Sequence, residues 1–224
     1  ILSICEAVGI DDHKFVGQVM SRNMRISTSV QLSVQPFKFS MKPHNYLQYS
    51  TNRDVLSALR VADRAEEQYL NFGSTGWANY IAYRGGLTST QINNPLKWQV
   101  MSAGTTYLEL GNFPFGISQT AFVVKAGDFC QVGRYTYIAT ENVTRGVSST
   151  VFIPIHRPLI DEITAATNAV IGQYGTTITM GGGTYTGVTF PVILNEYPTY
   201  SLIPMTNDSF IQWNGNFSAM ESVL

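Results

Sequence analysis

The strongest constraint on this chain is a recurring pattern. Runs of a few residues, many apolar at every second position, are closed by turn residues, and between about 106 and 155 they follow one another roughly every eight to twelve positions. A period of two puts successive side chains on opposite faces of a strand, so each run predicts a strand with one face on a core. Ile26, Thr28, Val30, Leu32 and Val34 alternate with Ser27, Ser29, Gln31 and Ser33. After Pro36 the apolar set Phe37, Phe39, Met41 takes the opposite parity, as an edge, a bulge or a kink would require. Residues 24–41 therefore read as one or two antiparallel strands. Further strands are expected at 106–110, 121–124, 129–132, 135–139, 151–155, 188–194, 200–203 and 210–217, with Ile211, Trp213 and Phe217 sharing one parity in the last.

One window carries a helical period instead. Val55, Leu59, Ala62, Glu66 and Tyr69 stand three and four apart, Ser50, Thr51 and Asn52 offer capping oxygens, and Asp54 suits a first turn. Arg60 with Asp63, and Arg64 with Glu67, are spaced for ion pairs on a wet face, and Gly73 and Gly76 close the window. The spacing predicts an amphipathic helix over about 52–71, covering one face or end of a sheet. An Ala- and Thr-rich piece, 162–171, suggests a short helical turn, and Gly181-Gly182-Gly183 a hairpin tip or loose loop.

The expected fold class is mainly β: an antiparallel barrel or sandwich domain with one covering helix, interrupted by a second, small inserted β-barrel domain. The outer domain would comprise 15–99 and 186–224, and the insert 100–185. Insertion at a loop tip is physically permissible because the ends of a compact domain lie at its surface.

Charge narrows the function. Asp, Glu, Lys and Arg make up 13% of the 224 residues and the net charge is −1, about half the charge of an ordinary globular chain. Nucleic acid is not an expected partner, since binding it takes a clustered basic face. Nor is a membrane, since no run approaches about 18 apolar residues and the opening residues do not resemble a secretory leader. The place of charge is taken by 65 Ser, Thr, Asn and Gln and by 27 aromatics, a composition suited to surfaces buried in an assembly.

Chemistry-bearing patterns are sparse. His13, His44 and His156 lack partners at metal-ligand spacing, and the chain carries no nucleophile elbow, phosphate loop or dinucleotide fingerprint. No cofactor and no catalytic activity are expected. Cys5 and Cys130 read as two free thiols, Cys130 as a small filler within a strand. In His156-Arg157-Pro158, with Asp161 and Glu162 following, a histidine base oriented by a carboxylate is conceivable. The stronger reading has His156 and Arg157 satisfying backbone carbonyls or a neighbouring acid. Lys125-Ala126-Gly127-Asp128-Phe129 reads as a hairpin device: glycine supplies positive φ, and aspartate bonds a nearby amide.

Three runs in order carry a resemblance: Lys125 to Gly133 (KAGDFCQVG), Tyr135 to Val143 (YTYIATENV) and Phe152 to Leu159 (FIPIHRPL). They resemble a module of structural tail-tip and baseplate proteins of tailed bacteriophages, the distal-tail-like family. Met20 to Arg25, the helix from Arg53, and the closing YPTYSL and WNGNFSAME runs are similar in style to the rest of that family. Cys130, where the family has a β-branched residue, and the long polar stretch 161–187 depart from it. The resemblance implies a structural virion protein of the phage tail. It would form a homo-oligomeric ring or adaptor that joins the tail tube to the baseplate hub or receptor-binding apparatus. Arg53, Arg60, Arg64 and Glu67 on the helix, and the segment 161–187, are the candidate neighbour contacts. The alternative is a carbohydrate-binding β module that stacks sugars on Trp77, Tyr80, Tyr83 and Trp98.

Overall fold

The computed structural model describes residues 2–12, 16–20, 26–30, 35–61, 66–72, 96–113, 115–171, 178–180, 183–185 and 188–223; at 16–20, 26–30, 60, 61, 170, 178–180 and 183–185 it describes the backbone alone. Among the described residues the fold is mainly β, with 51% strand and one helix of seven residues or more. The chain divides into two compact units. One comprises Ile1–Ser3 and Gln68–Pro191, the other Ile4–Glu67 and Val192–Leu224, so the chain of the second is interrupted by the first. The sequence pattern places the joins at 99/100 and 185/186.

In the unit containing Gln68–Pro191, one sheet runs in the order Thr150–Pro154, Tyr107–Gly111, Lys97–Trp98, Thr167–Asn168. Leu108, Leu110, Val151 and Ile153 occupy its inner face and are buried, while Tyr107 and Phe152 stand on the outer face. A second sheet orders Tyr135–Ile138, Phe129–Val132, Val170–Ile171, and Phe122–Val124 pairs with Val143–Thr144. The inward residues of these strands, with Trp98, Cys130, Tyr135 and Tyr137, form one apolar cluster lying wholly within residues 96–171. Burying such side chains is worth about 1.5–3 kcal/mol each, the main force holding the unit together.

The helical turn expected in 162–171 is not formed. Thr167–Asn168 and Val170–Ile171 are short strands, and Met101 bridges Ile163. Thr167, Val170 and Ile171 are β-branched and fit a pleated surface better than a helix, and sheet edges at Trp98 and Cys130 were there to pair with them. Ile178–Met180 pairs antiparallel with Gly183–Tyr185, while Gly181 and Gly182, expected as a hairpin tip or loose loop, lie outside the described residues.

In the other unit, Cys5–Asp11, Lys38–Pro43, Phe217–Glu221 and the part of Thr189–Glu196 from Val192 onward lie side by side in that order. They curl into an unclosed half-barrel rather than a closed barrel. Phe39, Met41, Val192, Leu194, Phe217 and Ala219 are buried, with Phe39 opposite Ala219 and Met41 opposite Phe217. Buried Glu221 clasps the strand entry: its backbone N–H donates to the Phe37 carbonyl at 2.8 Å, and its Oε2 accepts the Phe37 N–H at 3.1 Å. A second sheet orders Thr199–Met205, Asp208–Asn214, Leu47–Gln48. The run 210–217, expected as one strand, is broken at Gly215. Its φ of +133° is open to glycine and lets the chain pass from one sheet to the other.

The helix is Tyr49–Val61 and packs on Asp208–Asn214. It starts earlier than expected, so Asp54 falls outside the first turn. The negative charge at that end comes from Asp208, which accepts the Ser50 N–H at 3.2 Å and the Ser50 hydroxyl at 2.7 Å. These bonds hold the Asp208 carboxyl below its usual range, the Ser50 hydroxyl contributing most. The helix does not extend to 71. Gln68–Asn71 is a strand that buries Leu70 and exposes Tyr69, a period of two that the helical pattern had absorbed.

Candidate functional site

The motif residues come together in the Gln68–Pro191 unit as a turn and an edge cover. Lys125 to Asp128 bends the chain between Phe122–Val124 and Phe129–Val132. Gly127 has φ +94°, and the Asp128 N–H returns to the Lys125 carbonyl at 3.0 Å. The Asp128 carboxylate accepts the Lys125 N–H at 2.7 Å, closing the turn from the side chain as well. Ala139 locks it from outside: Gly127 N–H donates to the Ala139 carbonyl, and Ala139 N–H to the Asp128 carbonyl. Asn142 Oδ1 accepts the Ala126 N–H at 2.9 Å. Asp128 is only 6% exposed, and burial pushes its carboxyl above the usual carboxylate range, with the Lys125 amide pulling the other way.

His156, Arg157 and Pro158 leave the strand Thr150–Pro154 along Tyr135–Ile138. Ala139 bridges Ile155, and beyond it backbone and side-chain groups together continue the pairing. His156 N–H donates to the Ile138 carbonyl, and its Nδ1 accepts the Ile138 N–H, both at 3.0 Å. Arg157, 4% exposed, donates from Nη2 to the Thr136 carbonyl at 2.9 Å and lies over the Tyr137 ring, 5.3 Å from its centre. The Tyr137 hydroxyl accepts the Ile160 N–H at 2.9 Å. The His156 and Arg157 bonds take up backbone groups of Thr136 and Ile138 that Tyr135–Ile138 turns outward, the usual requirement for a sheet edge that is not to recruit another chain. Both residues thus satisfy backbone groups. His156 does so as an acceptor, which puts the proton of its neutral ring on Nε2. Asp161 and Glu162 are exposed on the following loop.

The remaining expected residues are scattered. Trp98 is fully buried and donates from Nε1 to the Gln131 carbonyl at 2.8 Å, so it offers no face to a sugar; the surrounding apolar strands enclose it. Trp77, Tyr80, Tyr83 and Arg64 lie outside the described residues, and of Arg60 only the backbone is described. Arg53 is exposed on the helix and Glu67 is half-buried. Neither cysteine is in a disulfide, and both are buried. Burial pushes the Cys5 thiol up to about 11 and Cys130 further still, with the Asp128 carboxylate adding to the second effect. Among the described residues no His, Cys, Asp or Glu cluster could hold a metal ion.

One feature went unread in the sequence. Tyr107 (41% exposed) and Phe152 (56%) meet edge to face, 5.2 Å between ring centres, on the outer face of their sheet. Nearby in the chain, Val100 is also largely exposed. The alternation in each strand marks both rings as outward; only the pairing of Phe152 with Glu109 and Pro154 with Tyr107 makes them neighbours. At a loop held by Arg145, which lies 4.3 Å over the Phe113 ring and donates to the Gly146 and Ser148 carbonyls, Val147 is held out into solvent. No protein-family model matches this chain, and no curated protein matches it in sequence.

Proposed function

We propose that the chain is a non-enzymatic assembly subunit: a structural virion protein of a phage tail that forms a ring or adaptor at the tail tip, between tail tube and hub or receptor-binding apparatus. In this reading the Gln68–Pro191 unit is the inserted barrel-like module of the distal-tail type. The supporting observation is the outward aromatic pair Tyr107–Phe152, on a sheet whose inner face is already filled. Exposed aromatics of this kind form the cores of protein interfaces, and a chain with little charge is suited to burying them against a neighbour. The motif residues support the same reading. Asp128, His156 and Arg157 hold backbone groups in place and so shape the module that presents the pair.

Sedimentation velocity and negative-stain imaging of the purified chain test this. Closed rings of uniform size are expected, and Phe152→Lys, which sets an opposite charge across from Glu109, should disperse them while costing the fold only about 0.5–1.5 kcal/mol for the lost ring pair. A wild-type chain that stays monomeric at all concentrations would refute the proposal.

A further inference from the structure

The strand Thr199–Met205 is an edge among the described residues, and Ser201, Leu202, Pro204 and Met205 on it are exposed. Its partner shows which way its backbone faces. Within Asp208–Asn214, the Ile211 carbonyl accepts the Tyr46 N–H, Trp213 N–H donates to Asn45 Oδ1, and Ser209 N–H donates to Asp208 Oδ1. Ser209, Ile211 and Trp213 therefore turn away from Thr199–Met205. The residues opposite them, Pro204, Leu202 and Tyr200, turn outward at the edge. Proline has no N–H, and at 204 the missing donor is one that would have pointed out of the sheet. Pro198, one residue before the strand, falls on the same parity.

We infer that Pro204 is a guard that keeps this edge from pairing with the same edge of a second copy. Antiparallel pairing about a two-fold axis at Ile203 would set Leu202 of each copy opposite residue 204 of the other. The Leu202 N–H could donate to the 204 carbonyl, but with proline no bond is returned to the Leu202 carbonyl. Half of the ladder at this register is missing, and two buried carbonyls would lose their water without gaining a donor. The neighbouring side chains make the guard necessary. Leu202 is 46% exposed and Met205 38%, on a strand also carrying half-buried Ile203, and an apolar edge of this length is an aggregation hazard. The inference is independent of the ring proposal, because wild type serves as its own reference whatever its assembly state.

Pro204→Thr and Pro204→Ala each restore the outward N–H in a strand whose backbone already tolerates the position. Their association is compared with wild type by sedimentation velocity over a concentration series, and exchange of the Leu202 amide is followed by hydrogen–deuterium exchange. The expected result is association strengthened by roughly tenfold or more in both variants, with Leu202 protection rising with concentration. Adding Leu202→Lys, a charge at the paired edge, should return Pro204→Thr to wild-type behaviour. If either variant folds as wild type does by circular dichroism and associates no more strongly, Pro204 is not a guard.

Discussion

Asp128 combines two opposing effects that can be separated by substitution. Its carboxylate accepts the Lys125 N–H at 2.7 Å, and it is buried. Asp128→Ala removes the acceptor and leaves the turn amide to water or to nothing, a loss of about 1–2 kcal/mol. Asp128→Asn keeps an acceptor oxygen for the Lys125 N–H and removes the charge, putting an amide NH2 in place of the second oxygen. Because burial raises this carboxyl above its ordinary range in the folded protein, the folded state binds the proton more tightly than the unfolded state. Ionisation therefore costs stability. That cost is fully present above the raised folded value, and disappears as pH falls below the ordinary carboxylate range. Asp128→Asn should accordingly be as stable as wild type or more so at pH 7, and its advantage should shrink on acidification; Asp128→Ala should be the weakest of the three at pH 7. Urea unfolding at a series of pH values, followed by tryptophan fluorescence with Trp98 in the same core, measures this. If Asn proved as damaging as Ala at pH 7, or if its advantage grew in acid, the carboxylate charge would be stabilising the turn.

Asp208 should show the opposite sign. Its folded-state carboxyl is held low by Ser50 and Ser209, so the helix start is supported above the ordinary carboxylate range and loosens as pH falls through the lowered value. Ser50→Ala should reduce that acid sensitivity, read as helical circular dichroism against pH; an unchanged profile would show that the pair does not hold the helix. Both thiols should resist a disulfide-exchange reagent in the native protein near neutral pH and react promptly in urea, because each is buried with a raised pKa. Stoichiometric labelling without denaturant would contradict that placement.

Much of the β architecture was legible in local text. Phe37, Phe39 and Met41 were read onto one face and are all buried; Ile211, Trp213 and Phe217 likewise. The turn at Lys125 to Asp128 was legible too, because glycine and aspartate act within a few bonds of themselves. Errors arose where a distant partner decided the outcome. Gln68–Asn71 followed a helical spacing by coincidence and became a strand, and 162–171 found sheet edges to pair with. Asp208, more than a hundred residues from the helix it caps, could not be found by looking near that helix.

By itself, the amino-acid order determined which side chains share a face, where the chain can turn, and how little charge it carries, since all of these follow from local geometry and composition. Only the tertiary structure decided which faces meet. Trp98 was a candidate sugar platform and is a core residue, while Tyr107 and Phe152, far apart in the chain, became an outward pair. The physical reason is that alternation defines two faces of a strand without saying which will be covered. Strand pairing and layer packing make that choice through contacts between residues that local sequence does not relate.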